Sequence, residues 1–146
     1  MSKIIYTNSE GNLIVIHPVE SDITEVAKKA VPDGIAYETV EDSVIPTDRS
    51  FREAWKQNNK TIEIDMAKAK EVHKNKIRVA RELLLNNLDI EYIKALETGA
   101  DASAIIAKKK ALRDAPADSA IDAATNEAAL KAQWNTSILG NSPYSS

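Results

Sequence analysis

Met66, Ala69, His73, Ile77, Ala80, Leu84 and Leu88 recur at spacings of three and four residues, which on an α-helix is one continuous apolar stripe. Val72, Leu83 and Leu85 widen it. Asp65 stands immediately before the stripe, where a carboxylate can accept the unpaired N–H groups of a first helical turn. A helix over residues 66–88 runs about 35 Å at 1.5 Å per residue, long enough to be the spine of a small domain.

Further helices are expected downstream. Asp89 can cap a second one through Ile90, Ile93, Ala95 and Leu96, ended by Gly99. Asp101 can cap a third that carries Ile105, Ile106 and Leu112, until Asp114-Ala115-Pro116 breaks it. Two shorter helical stretches follow, over residues 117–124 and 126–134. The remaining polar residues, 135–146, hold Gly140 and Pro143 and have the composition of an arm that needs a partner to become ordered.

The first third of the chain leans toward β-structure. Residues 3–6 and 13–17 are rich in Ile and Val and are separated by Asn8-Ser9-Glu10-Gly11-Asn12, which is a hairpin signal. Asp22 with Glu25 three residues later predicts a short capped helix through Ile23, Val26, Ala27 and Ala30, closed by Pro32-Asp33-Gly34. Residues 35–40 read as a third strand. Ser50-Phe51-Arg52-Glu53 is a second capping box, and it predicts a helix with Phe51 and Trp55 on one face. Residues 60–64 read as a short edge strand. The expected fold is therefore α+β: a β-rich part over residues 1–64 with a small antiparallel sheet of a hairpin plus a third strand, a helical bundle over 65–134, and a polar C-terminal arm over 135–146.

Composition narrows the function classes. Of 146 residues 43% are hydrophobic and 28% charged, ordinary globular usage that supports one core. A formal charge of −3 gives no global drive toward nucleic acid or an anionic membrane. With no cysteine, disulfides, thiolate nucleophiles and Cys-ligated zinc are excluded. The apolar spell after Lys3 is too short for a signal peptide, and no run is long enough to span a bilayer.

No catalytic constellation emerges. His17 and His73 are the only histidines, and His73 has no carboxylate or second histidine four residues away, so a packed imidazole is the better reading than a metal ligand or base. Four dispersed glycines cannot form a phosphate-cradling loop. Lys70, Lys74, Arg78 and Arg81 share a helix face that could track phosphates, but Glu71 and Glu82 interrupt it and no aromatic is interleaved. Arg113 is placed to reach a carboxylate such as Asp89. No catalytic residue, cofactor or metal is expected. The candidate partner-binding residues are Phe51, Trp55 and Trp134, as aromatics of the type that anchor interfaces, together with Arg78, Arg81 and Arg113.

Ile77-Arg78-Val79-Ala80-Arg81-Glu82-Leu83-Leu84-Leu85 followed by Asp89, and later Ala111-Leu112-Arg113-Asp114-Ala115-Pro116, resemble the tail assembly chaperone proteins of tailed bacteriophages. In that family a helix carries Ile-Arg, a second Arg, a Leu pair and an Asp, and an Ala-Leu-Arg-Asp follows before a proline. The stretch over residues 46–134, with Asp48-Arg49-Ser50-Phe51-Arg52-Glu53-Ala54-Trp55, also looks like small phage proteins encoded near tail genes. The match leaves out the β-rich start. Where the family pattern often has a Trp soon after the Asp, this chain has Ile90-Glu91-Tyr92. The resemblance implies a non-enzymatic tail or tail-fibre assembly factor. Its partner would be a tail protein, with homo-oligomerisation left open. It would act in the host cytoplasm during assembly, or stay in the virion tail as a structural component or adaptor.

Overall fold

The computed structural model describes residues 2–144. The chain divides into two compact units, Met1–Ala69 and Lys70–Ser146.

In the first unit β1 (Ser2–Thr7) is the central strand, flanked by antiparallel β2 (Leu13–Ile16) and β3 (Tyr37–Glu41) in the order β2-β1-β3. Ile5 of β1 stands opposite Val15 and Glu38. The β1–β2 loop is held by the Asn8 carboxamide, whose oxygen accepts the backbone N–H groups of Glu10 and Asn12 at 3.0 and 2.9 Å. Helix α1 (Ile23–Ala30) starts where expected, with Asp22 accepting from Thr24 and Glu25. Alternation along β1 sends Ile4 and Tyr6 to one face of the sheet, where they pack with Ala27 and Val31 and with Ile14, Ile16, Ile23, Val26 and Ile35. Ile5 points to the opposite face and is also fully buried, and there β4 (Trp55–Asn58) packs against β1 and β2.

The helix expected to carry Phe51 and Trp55 on one face is not formed. Arg52–Ala54 make a single 3₁₀ turn, and Trp55 opens β4, which pairs with β5 (Thr61–Ile64). Two causes are visible. The Ser50 N–H and hydroxyl both donate to Asp48, at 2.9 and 2.7 Å, so Ser50 is turned away from capping a helix. Beyond Trp55 the run Lys56-Gln57-Asn58-Asn59-Lys60 offers a helix nothing to bury, whereas Asn59 adopts a left-handed φ of 52° that lets the chain reverse. The Asp65 N–H donates to the Ala54 carbonyl at 2.7 Å and closes the hairpin.

Helix α2 (Met66–Thr98) is one element of 33 residues. Asp65 caps it as expected, accepting from Ala67 and Lys68. The helix expected to begin anew at Asp89 is its continuation. Between Asp65 and Gly99 there is no glycine or proline, and Asn86, Asn87 and Asp89 cost only about 0.7 kcal/mol each in helix propensity. A buried stripe outweighs that: Ile77 is fully covered and Leu84 and Leu88 half covered. Gly99 ends the helix with a φ of 71°, its N–H reaching the Leu96 carbonyl while Ala100 donates to Ala95 at 2.9 Å.

In the second unit α3 (Ser103–Asp114) follows, then a 3₁₀ turn over Ala115–Ala117 that buries Pro116, then α4 (Ser119–Ala123), α5 (Glu127–Lys131) and α6 (Thr136–Leu139). Asp118, Asn126 and Asn135 cap the last three. The polar stretch beginning at Asn135, expected to need a partner for order, is folded onto its own unit: Leu139 is buried, and the Trp134 indole donates to the Gly140 carbonyl at 3.1 Å.

Substitution separates a cap from a mid-helix carboxylate. Asp65→Ala is expected to cost about 1 kcal/mol, the usual loss of an N-cap. Asp89→Ala should change stability by less than about 0.5 kcal/mol, because it removes one partly exposed ion pair and no cap. Urea denaturation of both variants beside the parent chain checks the difference.

Candidate functional site

The last carbonyls of a helix have no partner inside it and carry partial negative charge. At the end of α3 they are met by α2: the Arg81 guanidinium donates to the carbonyls of Leu112 and Arg113, at 3.2 and 2.8 Å. A second tie lies one turn away on α3, where the Lys109 ammonium sits 2.6 Å from the Asp89 carboxylate and over the ring of Tyr92. These ties lay α3 along α2, with Leu112 buried between them and α6 packed against α3.

Where α2, α3 and α6 meet, a groove of about 320 Å³ opens. Leu84 and Leu88 of α2, Leu112 of α3 and Ile138 of α6 give it apolar walls, and Asn87, Glu91, Lys108 and Ser137 give it a polar margin. Walls of that size leave room for one or two aliphatic side chains, and Glu91 and Lys108 set opposite charges on the margin. Among the described residues no group of three or more potential ligands is arranged to hold a metal ion, and no helix is long and apolar enough to cross a membrane.

The expected partner-binding residues are dispersed. Phe51 and Trp55 are buried in the first unit, with the Arg49 and Arg52 guanidinium groups over the Trp55 ring at 6.0 and 5.8 Å. The Trp55 indole N–H is buried without an acceptor among the described residues. Arg78 lies on the surface of α2, donating to Asn75 at 2.6 Å and standing 3.6 Å from Glu71. Arg81 serves as the tie to α3. Arg113 does not reach Asp89: Lys109 takes that carboxylate, and the Arg113 Nε donates to the Lys109 carbonyl at 3.4 Å. The rest of the basic face is engaged within the chain as well, Lys70 donating to the Asp122 carbonyl and Lys74 to its carboxylate.

Trp134 belongs to an aromatic cluster in the second unit. Its ring meets His73 and Tyr144 edge-on, and Tyr144 stacks on His73 with an interplanar angle of 7°. His73 is fully buried. The carbonyl of Gln133, 3.2 Å from Nε2, can only accept, so Nε2 carries the proton and Nδ1 accepts from the Tyr144 hydroxyl at 2.6 Å. The neutral imidazole is thus fully paired. Burial, opposed by the Gln133 carbonyl and aided by the Lys76 charge, holds its pKa below the ordinary value.

Sequence reasoning placed Leu84, Leu88 and Leu112 on apolar stripes but missed the groove's far wall. Ile138 and Ser137 fall in the stretch read as an arm. The available signal was Asn135 followed by Ile138 and Leu139, a cap before a short apolar turn.

A lowered His73 pKa fixes the sign of its pH effect. Its stabilising contribution is complete above about pH 6.5, where the unfolded imidazole is also neutral, and is lost as the pH falls through the folded value. The thermal midpoint of the parent chain should therefore drop between about pH 7.5 and pH 5 by more than that of His73→Gln, which cannot titrate. Paired melting curves across that range give the comparison. No protein-family model, curated protein or solved structure matches the chain.

Proposed function

We propose that this chain is a non-enzymatic assembly factor for a bacteriophage tail or tail fibre, and that it binds a tail protein through the groove between α2, α3 and α6. One observation carries the reading. The two segments that resemble the phage tail assembly chaperones are tied together by Arg81, and Leu84 from one and Leu112 from the other line a single groove. What supports the reading is that residues from both segments meet at one surface. Such a surface suits a factor that covers an apolar segment of an unassembled client, because aliphatic walls tolerate varied side chains while the Glu91 and Lys108 charges set direction.

A second reading is a structural component or adaptor retained in the virion. The folded stretch over residues 135–144 favours it to this extent: the groove wall built by α6 does not wait for a client to become ordered.

Co-expression with the products of neighbouring tail genes tests the proposal. The chain should raise the soluble yield of one of them and co-purify with it. Ile138→Glu, at a half-exposed wall position, should weaken that complex by roughly thirtyfold, the equivalent of about 2 kcal/mol, with the circular dichroism spectrum unchanged. A tail protein whose solubility and binding ignore the chain, or a complex indifferent to Ile138→Glu, would sink the idea. Quantitative mass spectrometry of purified particles separates the two readings, since a helper is absent and a component is present in fixed proportion.

A further inference from the structure

Helix α2 is apolar on two opposite sides. Ile77, Leu84, Leu88 and Ala95 face the other helices of their unit or its groove. On the far side Val79, Leu83, Ile90 and Ile93 remain 73%, 67%, 53% and 54% exposed. Single exposed aliphatics are normal on a surface, but a row of four on one helix calls for a partner. Asn86 lies in the same row, so the series Val79, Leu83, Asn86, Ile90, Ile93 alternates spacings of four and three. That is the heptad rule of a helix that packs along a second helix, and the row is about 21 Å long.

We propose that this row pairs with the same row of a second copy of the chain, the two α2 helices running parallel and in register. Two features favour a copy over an unrelated protein. First, in such a pair every seam residue meets its own equivalent, and Asn86 is suited to meeting itself because a carboxamide both donates and accepts. An aliphatic partner would bury it unpaired. Second, the margins of the row are of opposite charge, with Glu82 and Asp89 along one side and Lys94 along the other. Parallel pairing sets Asp89, whose half-exposed carboxylate Lys109 of its own chain also holds, beside Lys94 of the second copy, twice by symmetry, whereas antiparallel pairing sets Glu82 against Asp89. The row is bounded. Toward the N-terminus the next seam position is Lys76, held 5.5 Å from the Tyr144 ring, and toward the C-terminus it is Glu97. In a parallel pair these ends set like charges side by side, so the seam is confined to the aliphatic layers between them.

The groove lies on the other side of α2, so pairing and client capture are separable. Light scattering on the full chain over a concentration series should show the mass rising to twice that of a single chain. Leu83→Glu with Ile90→Glu, both at exposed sites, should give a folded monomer by circular dichroism, and Ile138→Glu should leave the pair intact. Because the chain has no cysteine, Leu83→Cys should form an intermolecular disulfide on mild oxidation far faster than Lys108→Cys. A chain monomeric at every soluble concentration overturns the pairing, as does a dimer that survives the double Glu substitution. Leu83→Cys chains that link no faster than the control also overturn it. If a monomeric chain still captures its tail protein through the groove, the pairing fails and the proposed function stands.

Discussion

The carbonyls at the C-terminal end of α3 are orphaned by helix geometry, and the groove exists because Arg81 meets them. A guanidinium can serve two adjacent carbonyls at once, and here it reaches both Leu112 and Arg113. The end of α3 is held at Arg81 and its middle at Asp89 through Lys109, and Leu112 is buried. The following turn, with Pro116 buried, then carries the chain away from α2 and sends it through α4 and α5 to α6. The far wall of the groove therefore depends on a tie made more than twenty residues earlier in the chain.

Elements with their own periodicity and caps were legible in the sequence. The β1–β2 hairpin, α1 behind Asp22, α2 behind Asp65 and the stop at Gly99 all rest on local chemistry that the structure repeats. The fold class followed from them. What failed was each inference in which one residue type has two uses. Ser50 and Glu53 have the spacing of a capping box, but Ser50 donates both its N–H and its hydroxyl to Asp48, and Asn59 makes a hairpin the better use of a polar run. Asp89 is an acceptable cap, yet a helix already propagating past it loses less by continuing than by paying nucleation again. Of the candidate site, the Leu positions were legible as apolar and the arginines as distinctive. Their roles were not, because a cation that binds carbonyls and one that binds a partner look identical in a sequence.

The C-terminal stretch shows how a polar composition can mislead. Ser, Asn and Thr dominate residues 135–144, but the few large side chains there are placed to matter. Leu139 is buried, and Tyr144 covers His73 by stacking while its hydroxyl satisfies Nδ1. Lys76 and Lys131 lie over the outer face of the assembly formed around Tyr144, at 5.5 and 5.7 Å from its ring. Both cations are drawn to the face of the tyrosine ring, and the Lys76 charge opposes protonation of His73. A histidine that sequence alone assigns to packing is thus the group that holds the end of the described chain in place.

These constraints converge on α2, which serves three surfaces with one helix. Its buried side supports the aromatic cluster, an adjoining side lines the groove, and its far side is an aliphatic row that ordinary amphipathicity does not account for. A helix apolar on opposite sides has a weak overall preference for any one orientation, so hydrophobic burial alone cannot decide which side faces inward. The decision falls chiefly to the partly buried polar contacts: Arg81 binds the end of α3, and His73 binds Gln133 and Tyr144. Each of these needs a specific acceptor or donor at hydrogen-bond distance, and rotating α2 by half a turn would strand all of them in an aliphatic environment or in solvent. Polar ties therefore select the inward side, and the aliphatic row is left outward as a consequence. That is the physical reason a chain of ordinary composition can keep an apolar surface exposed and still specify a single fold.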